Sequence, residues 1–268
     1  MNKNNSVILA STLHDPELKL MKLMNPILPT IKALFKERIV CCTPSTQEKV
    51  LNFLKDDGFR VIVGTSMDYV GNYKLAIQAS LEYITDTKAQ KILYIDFDRI
   101  IHWINGYPEE LSRIVSNNTE IEYLHLGRTS RAFETHPPTQ KETEGIINEI
   151  ASKILGFSEK RDIISVCFLI SKKLGEYIIN MKNSTITGFY SSWPIIFWNL
   201  AESKEYREVE GLEWETPDQF RDEINKIGYE QWLAKFQSAK EWRKRVNLLH
   251  EGLLEIYQLA EFEFRGNR

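Results

Sequence analysis

The chain has 268 residues, 43% of them hydrophobic and 26% charged, with a formal net charge of -3. That is an ordinary globular composition, long enough for one large domain or one domain with an appendage. The small negative charge excludes a general pull toward nucleic acid or anionic membrane, so no nucleic-acid partner is expected.

Cys41, Cys42 and Cys167 form no disulfide framework and read as small buried hydrophobes in a reducing compartment. No apolar run reaches the ~18 residues that a bilayer span needs. The first one, Val7 to Ala10, is too short for a signal peptide. A cytoplasmic protein without a transmembrane segment is expected.

Val7 to Ala10 reads as the first strand, followed by Ser11-Thr12-Leu13-His14-Asp15. Pro16 to Leu34 carries apolar residues at helical spacing, broken by Pro26 and Pro29, which predicts a kinked helix. Ile39 to Cys42 is a second strand, ended by Thr43-Pro44-Ser45. Ser45 or Thr46 caps a helix through Leu54, and Gly58 stops it. Val61 to Val63 is a third strand. Gly71-Asn72 opens a helix with Leu75, Ala76, Ala79 and Tyr83 near one face.

Lys91 to Trp103 is the stretch with chemistry in it. A short, β-branched and aromatic run, Ile92 to Ile95, reads as a buried strand leading into Asp96-Phe97-Asp98. Continued strand alternation would put both carboxylates on one side and Phe97 on the other. Two carboxylates at a strand's carboxyl end suit a hard divalent cation, Mg²⁺ or Mn²⁺, whose shell phosphate oxygens and water complete. His102 lies just beyond; it reads as a structural hydrogen-bonding residue or, less naturally for such a cation, a third ligand.

A helix is expected from Pro108 to about Val115, and a strand from Ile121 to Leu126. Residues 128–140 read as a polar loop, Lys141 to Leu155 as a helix and Ile163 to Ile170 as a buried strand. Gly188 to Leu200 is aromatic-rich, with Trp193-Pro194 marking a helix entry. Phe189, Tyr190, Trp193, Phe197 and Trp198 are core residues or, for some, sugar-stacking ones. Beyond Asp218 two long apolar-periodic segments, Gln219 to Gln237 and Ala239 to Phe264, predict helices packed on the main domain or on a second subunit. A homodimer through these helices is the partner so implied. Lys240 to Arg245 reads as a solvated helix face. Alternating strands and helices predict an α/β fold with a mostly parallel, Rossmann-like sheet flanked by helices.

The segment Ile95-Asp96-Phe97-Asp98, with Pro108-Glu109-Glu110-Leu111 downstream, resembles the DXD segment of GT-A-type nucleotide-sugar glycosyltransferases of the family 2 kind. The resemblance covers residues 6–217, which it marks as a GT-A-like domain; residues 218–268, a helical C-terminal extension, have no counterpart. It implies a nucleotide-sugar donor, a sugar or small-molecule acceptor, and Asp96 and Asp98 as metal ligands with catalytic roles. It implies Lys74 near the diphosphate, from the helix start Gly71-Asn72-Tyr73-Lys74, and one of Arg128 and Arg131 on the acceptor or a phosphate oxygen, from Leu126-Gly127-Arg128-Thr129-Ser130-Arg131. Ser11, Thr12 and Thr43 fall at positions of nucleotide contact, as does Asp96.

Two departures stand out. The acidic positions of the acceptor-side helix are absent from Thr187-Gly188-Phe189-Tyr190-Ser191-Ser192-Trp193-Pro194. A general base on the acceptor hydroxyl would then lie elsewhere, with Glu134 and His136 as candidates, or the reaction would retain configuration and need none. The acidic residues after the second strand are replaced by Thr43-Pro44-Ser45-Thr46, with Asp15 and Asp68 as possible substitutes nearby. Three functions therefore compete: a metal-dependent glycosyltransferase, a nucleotide- or sugar-binding protein without turnover, and a phosphatase of the haloacid dehalogenase type. The last rests on Ile95-Asp96-Phe97-Asp98-Arg99-Ile100 resembling that superfamily's first motif.

Overall fold

The computed structural model describes residues 7–67, 69–85, 90–117, 120–181 and 189–266. Asp68 and residues 182–188, which carry two of the readings above, lie outside them. The sheet is built from β1 (Val7–Leu13), β2 (Arg38–Cys42), β3 (Arg60–Val63), β4 (Lys91–Tyr94), β5 (Tyr123–Arg128), β6 (Phe168–Ile170) and β7 (Lys204–Val209). Their order is β3-β2-β1-β4-β6-β5-β7. Every pairing is parallel except the two made by β6, which runs against both β4 and β5. The fold is thus the expected α/β one, a mostly parallel sheet flanked by helices.

Alternation along β1 explains the two faces. Val7, Leu9 and Leu13 enter one core with Met24, Ile31, Val50, Phe97, Ile100 and Trp103. Ile8 and Ala10 enter the opposite core with Ala76, Ile77, Leu174, Trp193 and Phe197. Each fully buried Leu, Ile or Phe contributes roughly 1.5–3 kcal/mol, so these two layers hold the sheet between its helices. The helices of the first layer are α1 (Met21–Met24), α2 (Leu28–Leu34), α3 (Glu48–Asp56), α5 (Phe97–Gly106) and α6 (Pro108–Ser116). Those of the second are α4 (Tyr69–Leu81), α9 (Lys172–Asn180) and α10 (Phe189–Leu200). After β5 in the chain come α7 (Ser130–Glu134) and α8 (Pro138–Ile154). A third cluster, with Ile147, Ile163, Ile195 and Ile256, joins α8, α10 and the last helix.

Several expectations need correction. Asp98 is on a helix, not a strand: β4 stops at Tyr94 and α5 starts at Phe97 with Asp96 as its N-cap. Residues 128–140 are not a loop but hold α7 and the start of α8. Of Ile163 to Ile170 only the last three residues pair as a strand. Strand β7 was not foreseen, because an edge strand reading Lys-Glu-Tyr-Arg-Glu-Val has only its last residue buried. The expected helix from Gln219 to Gln237 breaks into α11 (Thr216–Gln219), α12 (Arg221–Ile227), α13 (Tyr229–Leu233) and a 3₁₀ turn. Gly228, at φ 85°, separates two of them. The final helix, α14 (Ala239–Gly266), packs along α8 and α10.

The segment after β7 crosses back over α5. A Cβ on Gly211 would lie 2.0 Å from the buried Trp103 ring, so only glycine lets the chain pass this close. Glu110 accepts hydrogen bonds from the Glu210 and Gly211 N–H groups, both at 3.0 Å. His102 bonds Asp218 at 2.7 Å and Glu213 at 3.2 Å. Residues 210–219 are in this way strapped across the start of α5.

Candidate functional site

The carboxyl ends of β1, β2 and β4 open into a cavity of about 280 Å³. Ligands of open α/β sheets bind at such ends. Thr12 and His14 come from the end of β1, Thr43 from that of β2, Asn72 and Tyr73 from α4, Asp96 and Asp98 from the β4–α5 turn, and Gln219 from α11. Asn72 fits because Gly64 faces it; a Cβ there would sit 1.9 Å from the Asn72 carboxamide oxygen.

Asp96 is held in place by hydroxyls. Thr12 Oγ1 donates to its Oδ1 at 2.9 Å and the Tyr94 hydroxyl at 3.1 Å. Burial raises its pKa, while the charge of Arg99 and hydrogen bonds from Thr12 and Tyr73 pull against that rise. Asp98 lies in the first turn of α5, where the helix dipole favours an anion. Its Oδ1 accepts the Arg99 N–H at 2.8 Å, and Gln219 Nε2 lies 3.5 Å from Oδ2. Burial, then the charges of Glu215 and Asp96, push its pKa up to about 8. Arg99 is the cation that opposes this. Its Nη1 donates to the Ser165 carbonyl and its Nε lies 3.9 Å from Glu215. The next residue, Val166, has φ 55°, a left-handed conformation that strains a β-branched side chain.

Three carboxylates, Glu215, Asp96 and Asp98, therefore act on the charge of one guanidinium. Among the described residues no group of three or more His, Cys, Asp or Glu side chains is arranged to hold a metal ion. Two carboxylates are nonetheless the number Mg²⁺ takes when phosphate and water fill the rest of its shell. Burial and then the charges of Glu215 and Asp96 disfavour the Asp98 carboxylate; a divalent cation beside Asp96 and Asp98 would favour it, so this donor set fits one.

Of the residues singled out from sequence, Thr12, Thr43, Asp96 and Asp98 line this cavity together. The others do not join them. Ser11 is fully buried and spends its hydroxyl on the Ile95 carbonyl at 2.6 Å. Asp15 caps the following turn, accepting the Lys19 and Met21 N–H groups at 2.7 and 2.9 Å. Lys74 sits in the second turn of α4 and lines neither this cavity nor the one described next. Arg128 is sealed inside the protein, pairing with Asp162 at 2.6 Å and Glu144 at 2.6 Å over the Phe133 ring. At 1% exposure its guanidinium is out of a substrate's reach. Arg131 is half-exposed and held by Glu210, Glu213 and the Tyr107 hydroxyl. Glu134 is exposed and bonds Lys141 at 2.6 Å. His136 is buried on the Ala132 carbonyl at 3.1 Å; burial and the charges of Arg128 and Arg99 hold it neutral. His102 is the structural clasp already described.

A second cavity, of about 410 Å³, meets the first at Asp96 and Tyr73. Its walls come from α8, residues 164–166, the strap at Trp214-Glu215-Thr216 and α14. Sequence reading missed Glu215 and the α14 wall, because the elements that carry them are distant in the chain from the Asp-Phe-Asp turn.

No protein-family model and no curated protein sequence matches the chain. Solved structures similar to it are of glucosyl-3-phosphoglycerate synthase from Mycobacterium tuberculosis, a GT-A nucleotide-sugar glycosyltransferase. One, in complex with uridine diphosphate, is 16% identical over 63% of this chain and 58% of that one, at a TM-score of 0.43. The match thus spans less than two thirds of that solved chain. Another, of the same enzyme, is 13% identical over 84% of this chain and 81% of that one, at a TM-score of 0.47. A third contains Mn²⁺, uridine-diphosphate-glucose and phosphoglyceric acid, and is 14% identical over 63% and 57% at a TM-score of 0.40. Likeness at this level assigns this chain neither substrate nor chemistry. Among the described residues no helix is long and apolar enough to cross a membrane.

Proposed function

We propose that the chain is a metal-dependent, cytoplasmic glycosyltransferase that moves a sugar from a nucleotide-diphosphate donor to an acceptor. The observation that carries this is the Asp96–Asp98 pair, facing one cavity at the strand ends and short of positive charge. The nucleoside would occupy the first cavity, against Thr12, His14, Thr43 and Asn72. Asp98, with Asp96, would hold Mg²⁺ or Mn²⁺ on the diphosphate. The cation supplies positive charge where the leaving diphosphate gains negative charge. Thr12, Tyr73 and Tyr94 orient Asp96 for that task. The N-terminus of α5 adds its dipole toward the same anion.

The acceptor-side base is Glu215 in this reading. It lines the second cavity close to Asp98 and Arg99, whereas Glu134 and His136 line neither cavity. A carboxylate there can take the proton of an acceptor hydroxyl as it attacks the sugar's anomeric carbon. The sugar–phosphate bond breaks, and its electron pair leaves on the diphosphate. This gives inversion at that carbon. Residues 6–217 form the transferase domain and 218–268 an extension on it.

Calorimetric titration with a panel of uridine- and guanosine-diphosphate sugars, with and without Mn²⁺, tests the proposal. Metal-dependent binding of at least one is expected. Absence of metal-dependent binding to all of them would sink it. Binding without transfer or donor hydrolysis would instead select the reading without turnover. Phosphate release from p-nitrophenyl phosphate, abolished in Asp96→Asn, would select the phosphatase.

A further inference from the structure

We infer that the second cavity is a binding site for a neutral glycoside, a sugar with an apolar substituent, and that α14 builds its outer wall. This rests on the transferase reading and specifies the acceptor for it. The cavity meets the donor cavity at Asp96 and Tyr73, so its occupant faces whatever the first cavity holds. Its volume, about 410 Å³, lies in the range of small-molecule sites.

Charge argues for a neutral occupant. With Asp96 assigned to the cation, Arg99, Lys244 and Arg245 are already matched by Glu144, Glu215 and Glu251. The two arginines are also taken. Arg245 donates to Gln140 Oε1 at 2.8 Å and lies 3.6 Å from Glu144, while Arg99 serves Ser165 and Glu215. Lys244 is at the exposed rim, where an ion pair is worth little. An anionic acceptor would have to break an internal pair or settle for the exposed Lys244.

Shape and chemistry argue for the glycoside. Gln140 keeps its amide hydrogens, since only its oxygen is engaged by Arg245. Thr216 donates to Glu215 and can still accept. These are groups for sugar hydroxyls. In the same lining, Ile147, Ile164, Leu248 and Leu249 give apolar surface that offers a sugar hydroxyl nothing but can cover an apolar substituent. Two of these four belong to α14.

The test uses the full-length protein with uridine diphosphate and Mn²⁺. The probes are p-nitrophenyl glycosides of glucose, galactose, mannose and N-acetylglucosamine, with 3-phosphoglycerate as the anionic control. Saturation-transfer NMR reads binding. At least one glycoside should bind and 3-phosphoglycerate should not. Leu248→Trp, which fills the cavity from a half-exposed position, should weaken glycoside binding at least tenfold while calorimetry shows nucleotide binding unchanged. Thr216→Val, a milder change, should weaken it about threefold. Preferential binding of 3-phosphoglycerate overturns the inference. So does glycoside binding indifferent to both substitutions, or no glycoside binding by a protein that does bind nucleotide. If no nucleotide of the calorimetric panel binds, the transferase reading itself has failed and the inference falls with it.

Discussion

Two buried charge clusters sit on either side of β6, and they are opposites. In one, Arg128 donates from its backbone N, Nε and Nη2 to Asp162 at 2.6–2.9 Å, Asn148 donates to the same carboxylate at 2.8 Å, and Glu144 also accepts from Nη2, while the buried Nη1 has no partner. Burial penalises the Asp162 charge, yet Arg128 outweighs it and holds the carboxyl far below its usual range. In the other, burial and neighbouring carboxylates drive Asp98 the opposite way, to about 8. The first cluster is closed, with Arg128 and Asp162 side chains 1% and 6% exposed. The second opens on two cavities. A buried charge sealed against its counter-ion is structure. One left short of a partner at a cavity is where a ligand completes the account.

Breaking the closed cluster should have the largest effect. Arg128→Ala leaves Asp162 buried without its cation, and about 3–5 kcal/mol of stability should go, measured from urea unfolding. An unchanged unfolding midpoint would mean that the pair is not the internal brace it resembles.

Glu255 stands between the extremes and sharpens the contrast. It is 2% exposed on α14, with the Ser191 hydroxyl donating to it at 2.9 Å. Burial raises its pKa to about 7, against hydrogen bonds from Ser191 and Ser192 that lower it. The folded state therefore holds a proton that the unfolded state has released. Stability is fullest below the unfolded value near 4.5, falls as pH rises, and levels off above about 7. The drop should be on the order of 3 kcal/mol, and Glu255→Gln should flatten it in unfolding measured from pH 5 to 8. A wild-type and variant with the same pH slope would remove Glu255 from the account.

Asp98→Asn is the smallest change and has the opposite sign from Arg128→Ala. It replaces a carboxyl whose charged form the fold already disfavours, so unfolding should show no loss of stability. Metal-dependent nucleotide affinity should nevertheless fall about 100-fold, near 2.7 kcal/mol. A variant that unfolds early would place Asp98 with Asp162, as a brace.

The comparison also explains what was readable beforehand. Arg128 and Asp98 are both polar residues next to an apolar run, and nothing local separates them. The partner that closes Arg128, Asp162, is 34 residues away, and the one that leaves Asp98 short, Glu215, is 117 residues away. Thr12, Thr43 and Asp96 were legible because each follows an apolar strand, and parallel strands bring such ends to one edge. Gln219, Glu215 and the α14 wall were not, because their place depends on the strap crossing α5 at Gly211 and Trp103.

Periodicity and turn residues alone determined the α/β class, the strands β1 to β5 within a few residues, and the Asp-Phe-Asp turn as the point of interest. Those are short-range properties, set by which side chains a strand or helix can bury. Tertiary structure alone decided that Asp98 begins a helix, that β7 exists, that Arg128 is internal, and which carboxylate faces the second cavity. Each depends on desolvation and on charges brought close by the fold, and neither is written in the spacing of neighbouring residues.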